Sequence, residues 1–320
     1  MAPPGAVVSG RAEVRGSDPM TASDNWMACV GRHTPVGRVA ARILRERFDT
    51  VWAELQAVCT MPDYAEHVHQ LRVATRRTLA AIDAFHGLIP AKRRHWFEKE
   101  LRRLRRAAGE ARDLDVLTDR FAKNDSLRSR KRLIALLAQR RRESQVPIHA
   151  QLKKLKHADW SSRVDRLIED IYDRRRRTGF RSFARRRFKP MVTTFCDTAD
   201  GALRDTNAIH KLRIEGKKLR YAMEIFVPVL PSKVRVRCQK SLERLQKTLG
   251  ECTDHASAAD RFARWSRSTD AGPNRDMLIA LGDDENEQAD SARKAFCKWW
   301  KPGRRRSLRR RLQRTLRRSA

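Results

Sequence analysis

The sequence predicts an all-α protein made of two related halves. The stretch at 68–85, VHQLRVATRRTLAAIDAF, returns at 209–226 as IHKLRIEGKKLRYAMEIF. The register then holds without a gap: Lys99, Leu101, Leu104, Gly109, Glu110 and Asp113 recur 141 positions on as Lys240, Leu242, Leu245, Gly250, Glu251 and Asp254. Apolar residues elsewhere follow the helical period, and no run of alternation marks a strand.

Residues 1–30 are rich in Gly, Pro, Ser and Ala, have no apolar period, and are expected to be unstructured. The fold is expected over 31–300, with a first half at about 31–158 and a second at about 159–300. Val39, Ile43, Phe48, Val51 and Leu55 mark a first helix over 36–58. Its RERF at 45–48 is matched by RRRF at 185–188, an offset of 140, so one residue has been lost or gained between helices. The repeated helix follows. A basic helix over 91–107 is expected to stop around Gly109, and its counterpart over 233–249 at Gly250. Each glycine precedes an acidic turn with Asp113 or Asp254 as N-cap of another helix.

The stretch 127–156 reads as a basic helix broken near Pro147, and 163–177 continues in the same style. The stretch 277–300 is the matching element of the second half, after a loop at 269–274 that holds Gly272 and Pro273. Four helices per half is the natural count. The segment 301–320 carries ten cations in twenty residues around Leu308, Leu312 and Leu316. It reads as a last amphipathic helix docked by those leucines, with a free basic arm as the alternative.

With 71 Lys and Arg against 38 Asp and Glu, the net charge of +33 opposes a compact fold unless anions collect on it. A polyanionic partner is therefore expected. Arginine outnumbers lysine roughly three to one, and the guanidinium fork meets phosphate oxygens two at a time. The six cysteines are scattered and read as reduced thiols. No apolar run reaches the roughly 18 to 20 residues of a membrane span, nor is a secretory signal visible, so a cytoplasmic location is expected.

On a helix of about 100° per residue, Val68, Leu71, Thr75, Thr78, Ile82 and Phe85 form one stripe, and Ile209, Leu212, Gly216, Leu219, Met223 and Phe226 another. Beside the first lie His69, Arg72, Arg76 and Asp83; beside the second, His210, Arg213, Lys217 and Glu224. A solvated flank is the plain reading of one such edge. Its recurrence suits an anion held between two symmetry-related helices.

The motifs V-H-x-L-R-V-x-x-R-R and I-H-x-L-R-I-x-x-K-K, each followed by a basic helix and Gly-Glu-x-x-Asp, resemble the CHAD family, the conserved histidine α-helical domain. The resemblance covers roughly 36–300. It implies two four-helix bundles related by a pseudo-twofold axis, and binding of inorganic polyphosphate in a basic channel between them. Carried over by motif, it points to His69, Arg72, Arg76 and Arg77 in the first half and to His210, Arg213, Lys217 and Lys218 in the second. Lys99, Arg103, Lys240 and Arg244 on the following helices are the next candidates. It implies no catalytic residue, metal or cofactor, and it admits association with polyphosphate granules.

Two other readings compete. Sequence-independent nucleic-acid binding fits the charge, although no zinc finger, stacking signature or reading helix is visible, and a duplex could not enter a channel lined by facing helices. A metal-dependent phosphohydrolase would use His67 with His69, Cys252 with His255, or Asp113 with Asp115, but none of these makes a full ligand set. For His69 and His210 the choice lies between a satisfied buried ring and a phosphate ligand that is charged when polyanion is bound. Trp52, Trp96, Trp265, Trp299 and Trp300 fall at or near apolar stripes and are read as packing.

Overall fold

The computed structural model describes residues 30–31, 33–121, 127–173, 178–201, 206–268, 272 and 274–317. The expectation for residues 1–30 therefore falls almost entirely outside the described residues, as does much of the 269–274 loop. The chain forms α1 (Val36–Thr60), α2 (Ala65–Ala84), α3 (Ala91–Phe121), α4 (Leu127–Glu143), α5 (Val146–His157) and α6 (Trp160–Asp173). It continues with α7 (Phe180–Asp200), α8 (Thr206–Ile225), α9 (Ser232–Ser266), α10 (Arg275–Trp299) and α11 (Pro302–Arg317). The fold is all-helical, and among the described residues the β-type pairing is one isolated bridge, Pro35 with Gly179. There the Val36 N–H donates to the Thr178 carbonyl at 3.2 Å and the Phe180 N–H to the Thr34 carbonyl at 2.9 Å, tying the start of α1 to the start of α7.

The helices gather into two groups. In the first, α1, α2 and α3 pack in succession, with α4 and α5 along α3 and α6 on α1. In the second, α7, α8 and α9 pack in succession, α10 runs along α9, and α11 lies on α7 and α9. The groups meet where α2 faces α8. Both of those helices have 20 residues, and each ends in a three-residue 3₁₀ turn, His86–Leu88 or Val227–Val229. Their apolar stripes are buried as expected: Val68, Leu71, Thr75, Thr78 and Ile82 on α2, and Ile209, Leu212, Leu219 and Met223 on α8.

Two expectations need correction. The long helices do not stop at Gly109 or Gly250; α3 runs for 31 residues and α9 for 35, straight through both glycines, so Asp113 and Asp254 lie inside helices and cap nothing. A mid-helix glycine costs about 1 kcal/mol relative to alanine. The extensions recover it by packing: Leu114, Leu117 and Phe121 of α3 meet Ala258, Phe262 and Trp265 of α9 in a second apolar cluster with α4 and α10. The other correction is the count. The described residues form six helices before residue 178 and five after it, rather than four in each half. One extra division comes at Ser144–Gln145, where Pro147 sits in the first turn of α5 and interrupts what α10 makes continuous.

The basic C-terminal segment is helical and docked. Leu308 and Leu312 are buried, Arg309 pairs with Asp200 at 2.6 Å, and an Arg311 Nη1–H donates to Ser241 Oγ at 3.2 Å. The side chain of Leu316 lies outside the described residues. Leu312→Ala should lower unfolding free energy by about 2–4 kcal/mol in a urea titration, as for other buried leucines. A change below about 0.5 kcal/mol, the size of a surface substitution, would show that α11 does not pack as described.

Candidate functional site

Because α2 and α8 bury their apolar stripes in their own groups, their polar edges are left facing each other. Between them, and between the α3 and α9 walls beyond, is a cleft of about 810 Å³. His69, Arg72 and Arg76 line it from α2, and His210, Arg213, Lys217 and Lys218 from α8. Seven of the twelve residues anticipated from sequence are thus brought together.

The other five do not line it. Arg77 turns across the group boundary instead, where its Nε lies 3.1 Å from the Glu224 carboxylate on α8. Lys99 and Lys240 are exposed on α3 and α9. Arg103 pairs with Glu100 at 2.8 Å, and the Arg244 guanidinium sits over the Trp299 ring at 5.4 Å from its centre.

The α3 wall is built by residues that the repeat does not reveal. Arg102, Arg105 and Arg112 line the cleft, but 141 positions on they become Glu243, Gln246 and Thr253. Comparison of the two copies therefore passed them over. Helical phase would have found two of them: at about 100° per residue Arg105 and Arg112 fall on the flank beside Leu101, Leu104 and Ala108, whereas Lys99 and Arg103 point away from that stripe. Arg102 is turned about as far from it as Arg103, so phase carries no signal for it.

Arg120 of α3 and Arg261 of α9 occupy equivalent positions and close the far wall. Arg261 is 6% exposed, pairs with Glu110, and donates from Nη2 to Asp113 Oδ2 at 2.8 Å. Arg120 Nη1 instead donates to both oxygens of Glu285 on α10, at 2.8 and 2.6 Å. His255 Nδ1 lies 2.6 Å from the same carboxylate. At the other end, Arg187 of α7 donates to the Asp83 and Ala84 carbonyls at the end of α2, at 2.8 and 3.2 Å. Its counterpart Arg47 of α1 approaches Glu224 near the end of α8, at 3.9 Å.

Several cleft cations have carboxylate partners. Arg213 lies 3.4 Å from Asp254, Arg72 4.0 Å from Asp113, Arg102 3.0 Å from Glu98, and Lys218 2.8 Å from Glu215. Four do not: among the described residues Arg76, Arg105, Arg112 and Lys217 make no ion pair, and the Arg76 Nε is buried without a hydrogen bond. The first of the two recurring glycines has a reason here, whereas a Cβ at Gly250 would meet Arg213 at an ordinary 3.8 Å. A Cβ at Gly109 would come within 3.1 Å of Arg72 Nη1, which donates to the Ala108 carbonyl at 3.4 Å, so the bare helix lets the guanidinium lie against it.

Crowded cations shift one another's protonation. Burial first, then Arg213 and Arg76, push the Lys217 ammonium down to about 7, with Asp254 in opposition. Burial and then Arg112 lower His69, assisted by Arg76 and Arg72 and opposed by Glu66. Burial lowers Arg105 as well, followed by Arg76 and Arg102. Without a bound anion His69 is therefore mainly neutral at pH 7 and Lys217 is near half-protonation.

Among the described residues no group of three or more His, Cys, Asp or Glu is placed to hold a metal ion. The short pairs noted in the sequence serve packing: His67 Nδ1 lies 3.1 Å from Glu54, Asp115 accepts from Arg141 at 2.6 Å, and His255 meets Glu285. No helix among the described residues is long and apolar enough to cross a membrane.

The comparisons with known proteins agree with this architecture. No curated protein matches the sequence. The chain is similar in fold to the crystal structure of the CHAD domain from the plant Ricinus communis, with a TM-score of 0.68, 20% identity, and coverage of 83% of this chain and 92% of that one. It is also similar to PptA from Streptomyces chartreusis, with a TM-score of 0.55, 18% identity, and coverage of 83% and 99%. The CHAD domain family model matches residues 42–263, which span α1 to α9 and every residue of the cleft, so the chain belongs to the CHAD domain family.

Proposed function

We propose that the cleft binds inorganic polyphosphate and performs no chemistry on it, so that the protein is a polyphosphate-binding module able to travel with polyphosphate granules. The observation that carries this reading is the pair Arg76 and Lys217. These repeat-related residues face each other from α2 and α8, close enough for Arg76 to oppose the charge on Lys217, and among the described residues neither makes an ion pair, although Asp254 partly offsets the repulsion at Lys217. Two half-buried like charges are costly unless an anion lies between them. Arg105 and Arg112 extend the unpaired row along one wall. A linear chain of phosphates, about one charge each and no bases to read, supplies closely spaced anions to such a row.

The carboxylates beside the row set a limit on what enters. Asp83, Asp113, Asp254 and Glu98 also line the cleft, so a polyanion must displace or thread past them. A ligand with one or two charges gains too little to do so, whereas a long chain gains at many positions and releases its own counterions. We take the two helical groups to be products of an internal duplication, each supplying one edge of the cleft.

Calorimetric titration at roughly 150 mM salt with long-chain polyphosphate, tripolyphosphate and DNA at equal phosphate concentration tests the reading. The long chain should bind tightest, and Arg76→Ala/Lys217→Ala should weaken it by at least about tenfold, given 1.4 kcal/mol or more for two charge-assisted contacts. Binding that is indifferent to both substitutions would falsify the cleft as the site.

Protonation gives a second test. A polyanion raises the affinity of Lys217 and His69 for protons, so binding takes protons up and must tighten as pH falls. For Lys217 the effect runs from its raised bound-state value down to about 7 and then levels off, because below 7 the free cleft is already protonated there. His69, lowered from its ordinary value, continues the trend below pH 7. Lys217→Arg should flatten the profile above pH 7; an unchanged slope would assign the linkage elsewhere.

The same depression has a cost in stability. The unfolded lysine is charged below about 10.4, while the folded one resists charging down to about 7. Stability is thus lost as pH falls through that window and stays lost below it. Lys217→Met should raise the melting temperature of the ligand-free protein at pH 7 while weakening polyphosphate binding. A lower melting temperature would mean that the lysine is not strained in the empty cleft.

A further inference from the structure

Two of the anticipated residues that miss the cleft, Lys240 and Arg244, belong to a different surface. On α9 they share an exposed row with Arg237 and Lys247, opposite the buried Cys238, Leu242, Leu245 and Leu249. Beside this row lies α11. Arg244 and Arg304 both sit over the Trp299 ring, at 5.4 and 4.7 Å, and Arg311 reaches Ser241. Because residue 304 pairs with the level of 244 and residue 311 with 241, the two helices run antiparallel.

The outward row of α11 is Arg306, Arg310 and Arg314, all exposed and directly opposite Leu308 and Leu312. At a rise of 1.5 Å per residue, successive members stand about 6 Å apart. None makes an ion pair among the described residues, and α11 contains no Asp or Glu. On α9 between 237 and 247 the one carboxylate is Glu243, which falls on the flank of the row away from α11. At the matching level of the first half, by contrast, Arg103 and Lys154 are both taken by Glu100, and Arg45 by Asp165.

We propose that this α9–α11 face is a second polyanion site, separate from the cleft, and that it takes the phosphate backbone of double-stranded nucleic acid without reading its sequence. Two adjacent rows of exposed cations suit a wide, rigid polyanion whose charges lie on its outside. Phosphate contacts of this kind fix position and carry no base information. A lipid surface fits less well, since interfacial helices bury an apolar face among the acyl chains, and the leucines of α11 are spent on the core, at 4% and 0% exposure. The two sites divide polyanions by shape: the bare phosphate chain enters the cleft, and the duplex lies across the outer face.

The test is fluorescence anisotropy of the full chain with a labelled mixed-sequence DNA duplex of about 24 base pairs, over a range of salt near 0.1 M. Arg306→Ala/Arg310→Ala/Arg314→Ala should weaken binding at least about tenfold and reduce the slope of log K against log salt by about 3, one for each phosphate contact. Lys240→Ala/Lys247→Ala should reduce it by about 2 and carries the test alone if the triple variant fails to fold by circular dichroism. The cleft variant Arg76→Ala/Lys217→Ala should bind the duplex as the wild type does, which separates this site from the polyphosphate reading. The proposal is overturned if both outer-face variants bind duplex like the wild type, or if the cleft variant loses duplex binding. It is equally overturned if those variants instead lose binding to phosphatidylserine vesicles while the wild type ignores DNA.

Discussion

The constraint on which the rest of the structure depends is the meeting of α2 and α8. Each carries a histidine and two cations along the edge of its apolar stripe, and each must bury that stripe in its own group, so the two basic edges are forced to face each other. At the middle stand Arg76 and Lys217, with a common sign and, among the described residues, no ion pair of their own; Asp254 offsets the crowding at Lys217 only in part. Hydrophobic packing within the groups is what holds them there. Repulsion at that point is the standing cost of the arrangement and, on the proposed function, the source of affinity for a polyanion.

Contacts at the two ends oppose the repulsion. Near the ends of α2 and α8, Arg187 reaches the carbonyls at Asp83 and Ala84 while Arg47 and Arg77 approach Glu224. At the far wall Arg261 bridges to Glu110 and Asp113, and Arg120 to Glu285. Partly buried pairs of this kind contribute little net energy after desolvation, so they fix geometry more than they stabilise. The apolar cluster formed where α3 and α9 extend past Gly109 and Gly250 supplies the net attraction. The width of the cleft is thus set by contacts at its two ends and by the apolar cluster beyond its far wall.

The halves are not equivalent, and their differences follow one line. Arg76 in the first copy is Lys217 in the second, which replaces a permanent charge by one that burial brings to about 7. Leu114 becomes His255, which joins Arg120 on Glu285. The α3 wall gains Arg102, Arg105 and Arg112 where α9 has Glu243, Gln246 and Thr253. Inside the cleft the cations come more from the first half than from the second, and on the second half α11 adds a further basic row beside α9.

Sequence alone determined the all-helical class, the two copies of the central helix, the buried stripes and the polar edge that carries His69, Arg72, Arg76, His210, Arg213 and Lys217. These are local properties: a helical period places a residue on a face, and a repeat shows which faces recur. It located the break near Pro147 and the docking leucines of the last helix for the same reason. What it could not determine is anything decided between helices. Gly109 and Gly250 carry a stop signal, but the gain from packing the extended helices exceeds a penalty of about 1 kcal/mol apiece. Arg77 and Arg244 look like cleft ligands because they recur or adjoin the motif, while Glu224 and Trp299, distant in sequence, claim them. Lys217 is an ordinary lysine until burial beside Arg213 and Arg76 removes its solvent. Desolvation and long-range charge depend on which faces meet, and only the tertiary structure brings those faces together.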